Sequence, residues 1–344
     1  MPGIFSWISG LFSATVPESR TPEPRLFNPV AGKPSTTEQD SLLIHKLESH
    51  LFCWLLDSPP SALKTSTLEI TPLLEQLEQR LQDQSLEELP RQPLTLPMLM
   101  RALSDESSDR HQVTEVILSD PSLTDQLLQI ANSPYFKTGD QTIESVDHAV
   151  FVLGIDGIRN VISAAVLRPM MAARNSREAL FAQRVWRWGL ACARSAELIA
   201  RIQGQDTSAH FMVGLLPALS YITLRREIHR IYRANGHKQD PEPAVIRHAL
   251  ARYHWATTQL LANEWNLPPK YHAYLLAAER PAPEQQHSPL NDGMILGTRE
   301  ALRDAHQRNM AEEKLLSLIR LEEEQFVWVR KALLRMLENS NSPA

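Results

Sequence analysis

The chain has 344 residues, 43% hydrophobic and 22% charged, which excludes wholesale disorder and suits two helical domains or one domain with extensions. The formal net charge of -5 excludes a function driven by general nucleic-acid binding, which needs a concentrated excess of Lys and Arg. Cys53 and Cys192 both sit in apolar helical contexts and read as buried free thiols of a reducing compartment, since a zinc site needs more ligands nearby.

In chain order, Met1 to Ala14 is apolar but has no Lys or Arg, so it lacks the charged start of a secretory signal. No apolar run reaches the roughly 18 residues that span a bilayer. Ile4, Phe5, Trp7, Ile8, Leu11 and Phe12 would share one face of a short helix there. A frayed tail is the expectation, with a docking peptide or interfacial anchor as the alternative. Five prolines make residues 15–36 a flexible linker, so 1–36 form a tail and linker. Helical spacing predicts one helix over about 37–56, stopped by Ser58-Pro59-Pro60, and another over about 71–84. Together they form a helical hairpin over 37–85.

The main domain spans 86–285. It begins with short helices over about 98–103 and 109–118. Asp120 is a good N-cap and Pro121 suits the first helical position, where its missing N–H costs nothing. That helix carries Leu123, Leu127, Leu128 and Ile130 and ends at Asn132-Ser133-Pro134. Ser145 caps a helix that stops at Gly154, and Asp156 caps another. Further helices are expected over 176–202, 207–219, 223–234, 243–264 and 269–278. Residues 286–344 read as a linker and an amphipathic C-terminal helix over about 311–337. That helix would pack on the main domain or pair with another subunit. No sustained alternation argues for a strand, so the fold class is all-α.

Three passages carry a family resemblance. They are Leu94-Thr95-Leu96-Pro97-Met98-Leu99; then Asp120-Pro121-Ser122-Leu123 with Ala131-Asn132-Ser133-Pro134-Tyr135-Phe136; then Ile143-Glu144-Ser145-Val146 with Ala149-Val150, Leu153-Gly154 and Ile158-Arg159. In order and spacing they resemble the HDOD family, the HD-related output domain of bacterial signalling proteins. The resemblance implies an HD-like helical bundle in a cytoplasmic, bacterial, non-catalytic protein that contacts other signalling proteins. Physically, Asp120, Pro121, Asn132, Ser133 and Pro134 read as caps and turn formers, so they are assigned to structure.

The related HD phosphohydrolases hold metal ions through His and Asp ligands, and the metal activates water and neutralises phosphate. The resemblance puts Trp188 where the first His would stand, and an indole cannot ligate a metal in this way. Gly214-Leu215-Leu216 is followed by Pro217-Ala218 in place of the His-Asp pair. His254, before Trp255, is retained and reads as a partly buried histidine. Ala278-Glu279 replaces a downstream His pair. Trp186, Trp188, Trp255 and Trp265 suggest a collapsed apolar core, with a base-stacking aromatic pocket as the alternative. No metal, cofactor or catalytic residue is therefore expected.

The chain has no G-x-G-x-x-G, P-loop or G-x-S-x-G motif. Arg226, Arg230 and Arg233 fall at i, i+4 and i+7 and share a helix face. A solvated face near acidic neighbours is the expectation, and a patch for an acidic partner or phosphorylated ligand is the alternative. Three functions are thus weighed: an adaptor acting through protein contacts, a sensor of a cyclic dinucleotide or other phosphorylated ligand, and a disfavoured metal-dependent phosphohydrolase. Nucleic acid is not an expected partner, and membrane contact is open only to the N-terminal tail.

Overall fold

Side-chain caps fix where several of the helices begin. Asp120 Oδ1 accepts from Ser122 N at 2.9 Å and Leu123 N at 3.2 Å, and Pro121 takes the first helical position. Ser145, Asn175, Asp206 and Ser288 cap four more helices in the same way, each accepting from the backbone N–H three residues on.

The computed structural model describes residues 38–64, 67–93, 96, 114–115, 117–118, 120–133, 135–136, 141–280 and 287–339. The expected tail helix, linker and helix over 98–103, most of the helix over 109–118, and Pro134 lie outside the described residues. Among the described residues there are helices and no strand, so the fold is all-α. The helices are α1 (Glu38–Leu55), α2 (Thr67–Gln82), α3 (Pro121–Ala131), α4 (Val146–Met171), α5 (Ser176–Ile202) and α6 (Thr207–Ala234). They continue with α7 (Pro243–Glu264), α8 (Pro269–Glu279), α9 (Pro289–Asp304), α10 (Glu312–Leu316) and α11 (Glu323–Asn339). A 3-10 turn at Pro60–Leu63 joins α1 to α2.

Helix α5 is the centre, with α6 on one side and α9 on another. Small residues let these helices approach closely. A Cβ on Gly214 of α6 would lie 2.6 Å from Ala193 Cα, and one on Gly293 of α9 would lie 2.6 Å from Ala196 Cα. One continuous hydrophobic core runs from Ile44 in the hairpin to Leu337 in α11, so both flanks complete the same core. Among the described residues, two helices are long and apolar enough to cross a membrane by length and composition. They are α4 and α6, whose apolar windows are 61% and 94% buried inside the protein.

Three expectations need correction. The helices expected over 207–219 and 223–234 are one helix, α6, with Pro217 inside it. An interior proline costs about 3 kcal/mol, and the surrounding helices, which bury both flanks of Pro217, outweigh that. The linker expected from 286 contains α9, a core helix that lies against α5. The last helix is two, α10 and α11. Between them, Arg320 N donates to the buried Asp292 Oδ2 at 3.0 Å, which anchors the break to α9. The expected stop at Gly154 is present as a residue at φ 70° that interrupts α4. Cys192 is buried as expected, whereas Cys53 is half-buried.

Candidate functional site

Trp188, which the resemblance aligns with the first metal ligand of HD enzymes, belongs to a buried aromatic column. Trp188 is 1% exposed, and its indole N–H donates to Thr298 Oγ1 at 2.8 Å. Its ring stacks on Tyr221 with centroids 4.8 Å apart. Tyr221 stacks in turn on Phe52 at 6.2 Å and meets His254 edge-on at 5.9 Å. Burial pushes the Tyr221 phenol well above its ordinary pKa, so the phenol stays neutral. Tyr221 follows Pro217 by one helical turn, and neither it nor Thr298 was marked by sequence reasoning, because each looks like an ordinary core residue.

Pro217 and Ala218 are fully buried in α6. His254 Nδ1 donates to the Leu250 carbonyl at 3.1 Å, within its own helix. Among the described residues, no three His, Cys, Asp or Glu side chains converge to hold a metal ion. A proline, an alanine and an indole supply no ligand atoms, so this donor set does not fit the metal centre of the HD enzymes. Trp255 packs against His254 at 5.1 Å, whereas the other two tryptophans lie elsewhere. Trp186 lies under the Arg168 guanidinium at 4.7 Å, and Trp265 donates to the Pro90 carbonyl at 2.9 Å.

The family-signature residues build local structure. Asn132 ends α3 and pairs with the backbone of Ile143, donating to its carbonyl and accepting from its N–H, both at 2.8 Å. Ser133 Oγ donates to the Ile130 carbonyl at 2.6 Å.

A second constellation lies where the start of α5 meets the last turns of α6. A cavity of about 650 Å³ is lined by Arg174, Arg177, Arg225, Arg226, Arg230, Arg233 and His229, with Glu88, Glu178 and Asp240. It therefore holds three more formal positive charges than negative while His229 is neutral. The sequence-marked row Arg226, Arg230, Arg233 does come together here, but its members differ in what holds them. Arg226 donates to Glu178 at 2.6 Å and to the carbonyls of Met170 and Ala172 at 3.0 and 2.8 Å, tying α6 to the α4–α5 connection. Arg230 is paired with Glu87 and lies 3.8 Å from Glu88. Arg233 is exposed and has no carboxylate partner among the described residues.

Sequence reasoning did not mark Arg225 or Arg177 as site residues. Arg225 is half-buried over the Phe181 ring at 5.0 Å, and its closest polar contact is a long 3.4 Å bond to the Arg177 carbonyl. Among the described residues it has no carboxylate within ion-pair distance. Burial lowers its pKa from the usual 12.5, and it stays charged. Arg177 lies 3.3 Å from Asp240 and is mostly exposed. Burial, then the charge of Arg225, lowers the pKa of His229 to about 4. Glu227, on the same helix, faces away. It is fully buried and accepts from Arg80 at 2.5 Å and from Glu88 N at 3.0 Å.

A family model for the HDOD domain matches residues 89–281. The chain is 27% identical over 193 residues to the Uncharacterized protein YuxH of Bacillus subtilis (strain 168), covering 53% of this chain and 46% of that protein. It thus spans about half the length of the curated relative it matches. A solved "Putative phosphohydrolase" from Shewanella amazonensis SB2B is similar in fold, with a TM-score of 0.53 at 18% identity over 75% of this chain and 97% of that one. A "Putative signal transduction protein" from Marinobacter aquaeolei VT8 gives a TM-score of 0.51 at 19% identity, over 83% of this chain and 69% of that one. At these identities the structural likeness shows a common helical fold.

Proposed function

The chain belongs to the HDOD family, and on that premise we propose that it is a non-catalytic signal-transduction module of the bacterial cytoplasm, acting through contacts with other proteins. One observation carries the non-catalytic part. Trp188, which the resemblance aligns with the first ligand position, spends its only polar side-chain atom on Thr298. Turning that column back into a metal centre would need several substitutions in a closely packed core. The reading needs no cofactor. The output part rests on family membership, and the fold-level likeness to a "Putative signal transduction protein" agrees with it.

The deciding test is metal content of the purified chain by mass spectrometry, run beside phosphodiester hydrolysis with added manganese or iron. Substoichiometric metal and no turnover are expected. Stoichiometric metal together with turnover would overturn the proposal and put the phosphohydrolase reading first.

A further inference from the structure

We propose that the groove between the start of α5 and the last turns of α6 binds a small phosphorylated ligand of nucleotide size, gripped by Arg225, Arg233 and Arg177. The proposal goes beyond the adaptor reading and does not rest on it. Arg177 precedes Trp188 by 11 residues on α5, which places the groove about 16 Å along the helix from the aromatic column.

Arg226 makes three short bonds, one of them to a carboxylate. Arg225, its sequence neighbour, is sunk against Phe181 with one long carbonyl contact and no carboxylate within ion-pair distance among the described residues. Removing a cation from water without a counter-charge is costly. Glu178 and Asp240 act on Arg225 only from beyond ion-pair distance, Glu178 being bonded to Arg226 and Asp240 to Arg177. An anion entering the groove would supply a direct counter-charge at contact distance.

Guanidinium pairs suit phosphate oxygens, which accept their parallel N–H donors. The volume, about 650 Å³, is in the range of small-molecule sites, roughly 300–1,000 Å³. Arg233 and Arg177 sit at the rim with exposed side chains and can close on the ligand. Asp240 is the acid against which the ligand competes, and it is held by Arg177 at 3.3 Å.

The test is calorimetric titration of the full chain with inorganic phosphate, pyrophosphate, ATP and cyclic di-GMP at low and moderate salt. R225Q, R233Q and R252Q are measured beside it. Arg252 pairs with Glu78 on another surface and serves as the control. At least one phosphorylated probe is expected to bind with submillimolar affinity, to weaken with salt, to lose tenfold or more in R225Q and R233Q, and to be unchanged in R252Q. R225Q should melt close to the parent, because the charge it removes has no carboxylate within ion-pair distance among the described residues. The proposal is overturned if no probe binds below millimolar concentration, if R225Q keeps the affinity, or if a glutamate-rich peptide binds while the phosphorylated probes do not. A fall in melting temperature of many degrees in R225Q would also overturn it, since that would mark Arg225 as purely structural. Turnover of a bound probe would count against the non-catalytic reading and not against this site.

Discussion

Gly297 of α9 lies so close to Cys192 of α5 that a Cβ built on the glycine would sit 2.6 Å from the cysteine's Cα and N. Those atoms are backbone and cannot rotate away. Helix propensity alone would make alanine at this position about 1 kcal/mol better than glycine. Overpacking a tight core costs about 1–3 kcal/mol or more, and separating two central helices belongs at the upper end. Gly297→Ala should therefore lower stability by about 2 kcal/mol, read as a lower urea midpoint. A variant as stable as the parent would mean that α9 does not pack against α5 at this point.

The Trp188–Thr298 bond gives a second test. Thr298→Val keeps the shape and removes the acceptor, leaving a buried indole N–H unsatisfied. That should cost about 1–3 kcal/mol and alter the near-ultraviolet circular dichroism of the Trp188–Tyr221 stack. Thr298→Ser keeps the hydroxyl and should lose much less. Equal losses for the two variants would point to packing as the cause and remove the hydrogen bond from the account.

Arg226 and Glu178 give the third, through pH. Burial pushes the Glu178 carboxyl up, but bonds from Arg226 and from the Arg174 N–H outweigh it and hold the pKa below the usual 4.5. A depressed carboxyl contributes stability that is complete at neutral pH and is lost as pH falls through the usual 4.5 and on through the lower folded value. Arg226→Gln strips the partner from a buried carboxylate and should cost about 3–5 kcal/mol near neutrality. It should also flatten the fall in stability below pH 4.5. Denaturation midpoints of both proteins between acid and neutral pH decide this, and parallel curves would rule the pair out as the source.

The legible parts of the fold were those with local chemistry. Asp120-Pro121, Ser145 and Gly154 announced helix ends because caps and positive φ values leave their mark within a few residues. Helix α9 was missed for the opposite reason. Gly293 and Gly297 lower its helix propensity, and Asn291, Asp292, Thr298, Arg299 and Glu300 are polar yet buried, so the segment reads as more exposed than it is. Their satisfaction comes from far along the chain: Arg320 N bonds to Asp292, and Trp188 donates to Thr298. In the basic groove, spacing found Arg226, Arg230 and Arg233 together. It could not show that Glu178 already holds Arg226 while Arg225 has no such acid. That difference depends on where α4 hands over to α5, which one helix face does not reveal.

His229 supplies the last prediction. Its neighbours in the groove are cationic on balance: Arg225, Arg226, Arg230 and Arg233 from α6, and Arg174 and Arg177 from the start of α5, against Glu88, Glu178 and Asp240. Burial first, then Arg225, lowers its pKa from 6.5 to about 4, with Asp240 and Glu178 opposing. The unfolded chain therefore takes up this proton first, and stability drops as pH falls from about 6.5 toward 4. His229→Gln should remove that drop while leaving the neutral-pH midpoint nearly unchanged. The ring resonances of His229 in the free protein should titrate near 4, and a value near 6.5 would mean that the ring is neither buried in the groove nor set among excess positive charge. With saturating pyrophosphate the value should rise, because the ligand's negative charge offsets Arg225 and Arg233. By linkage, the same ligand should then bind more tightly as pH falls through that range.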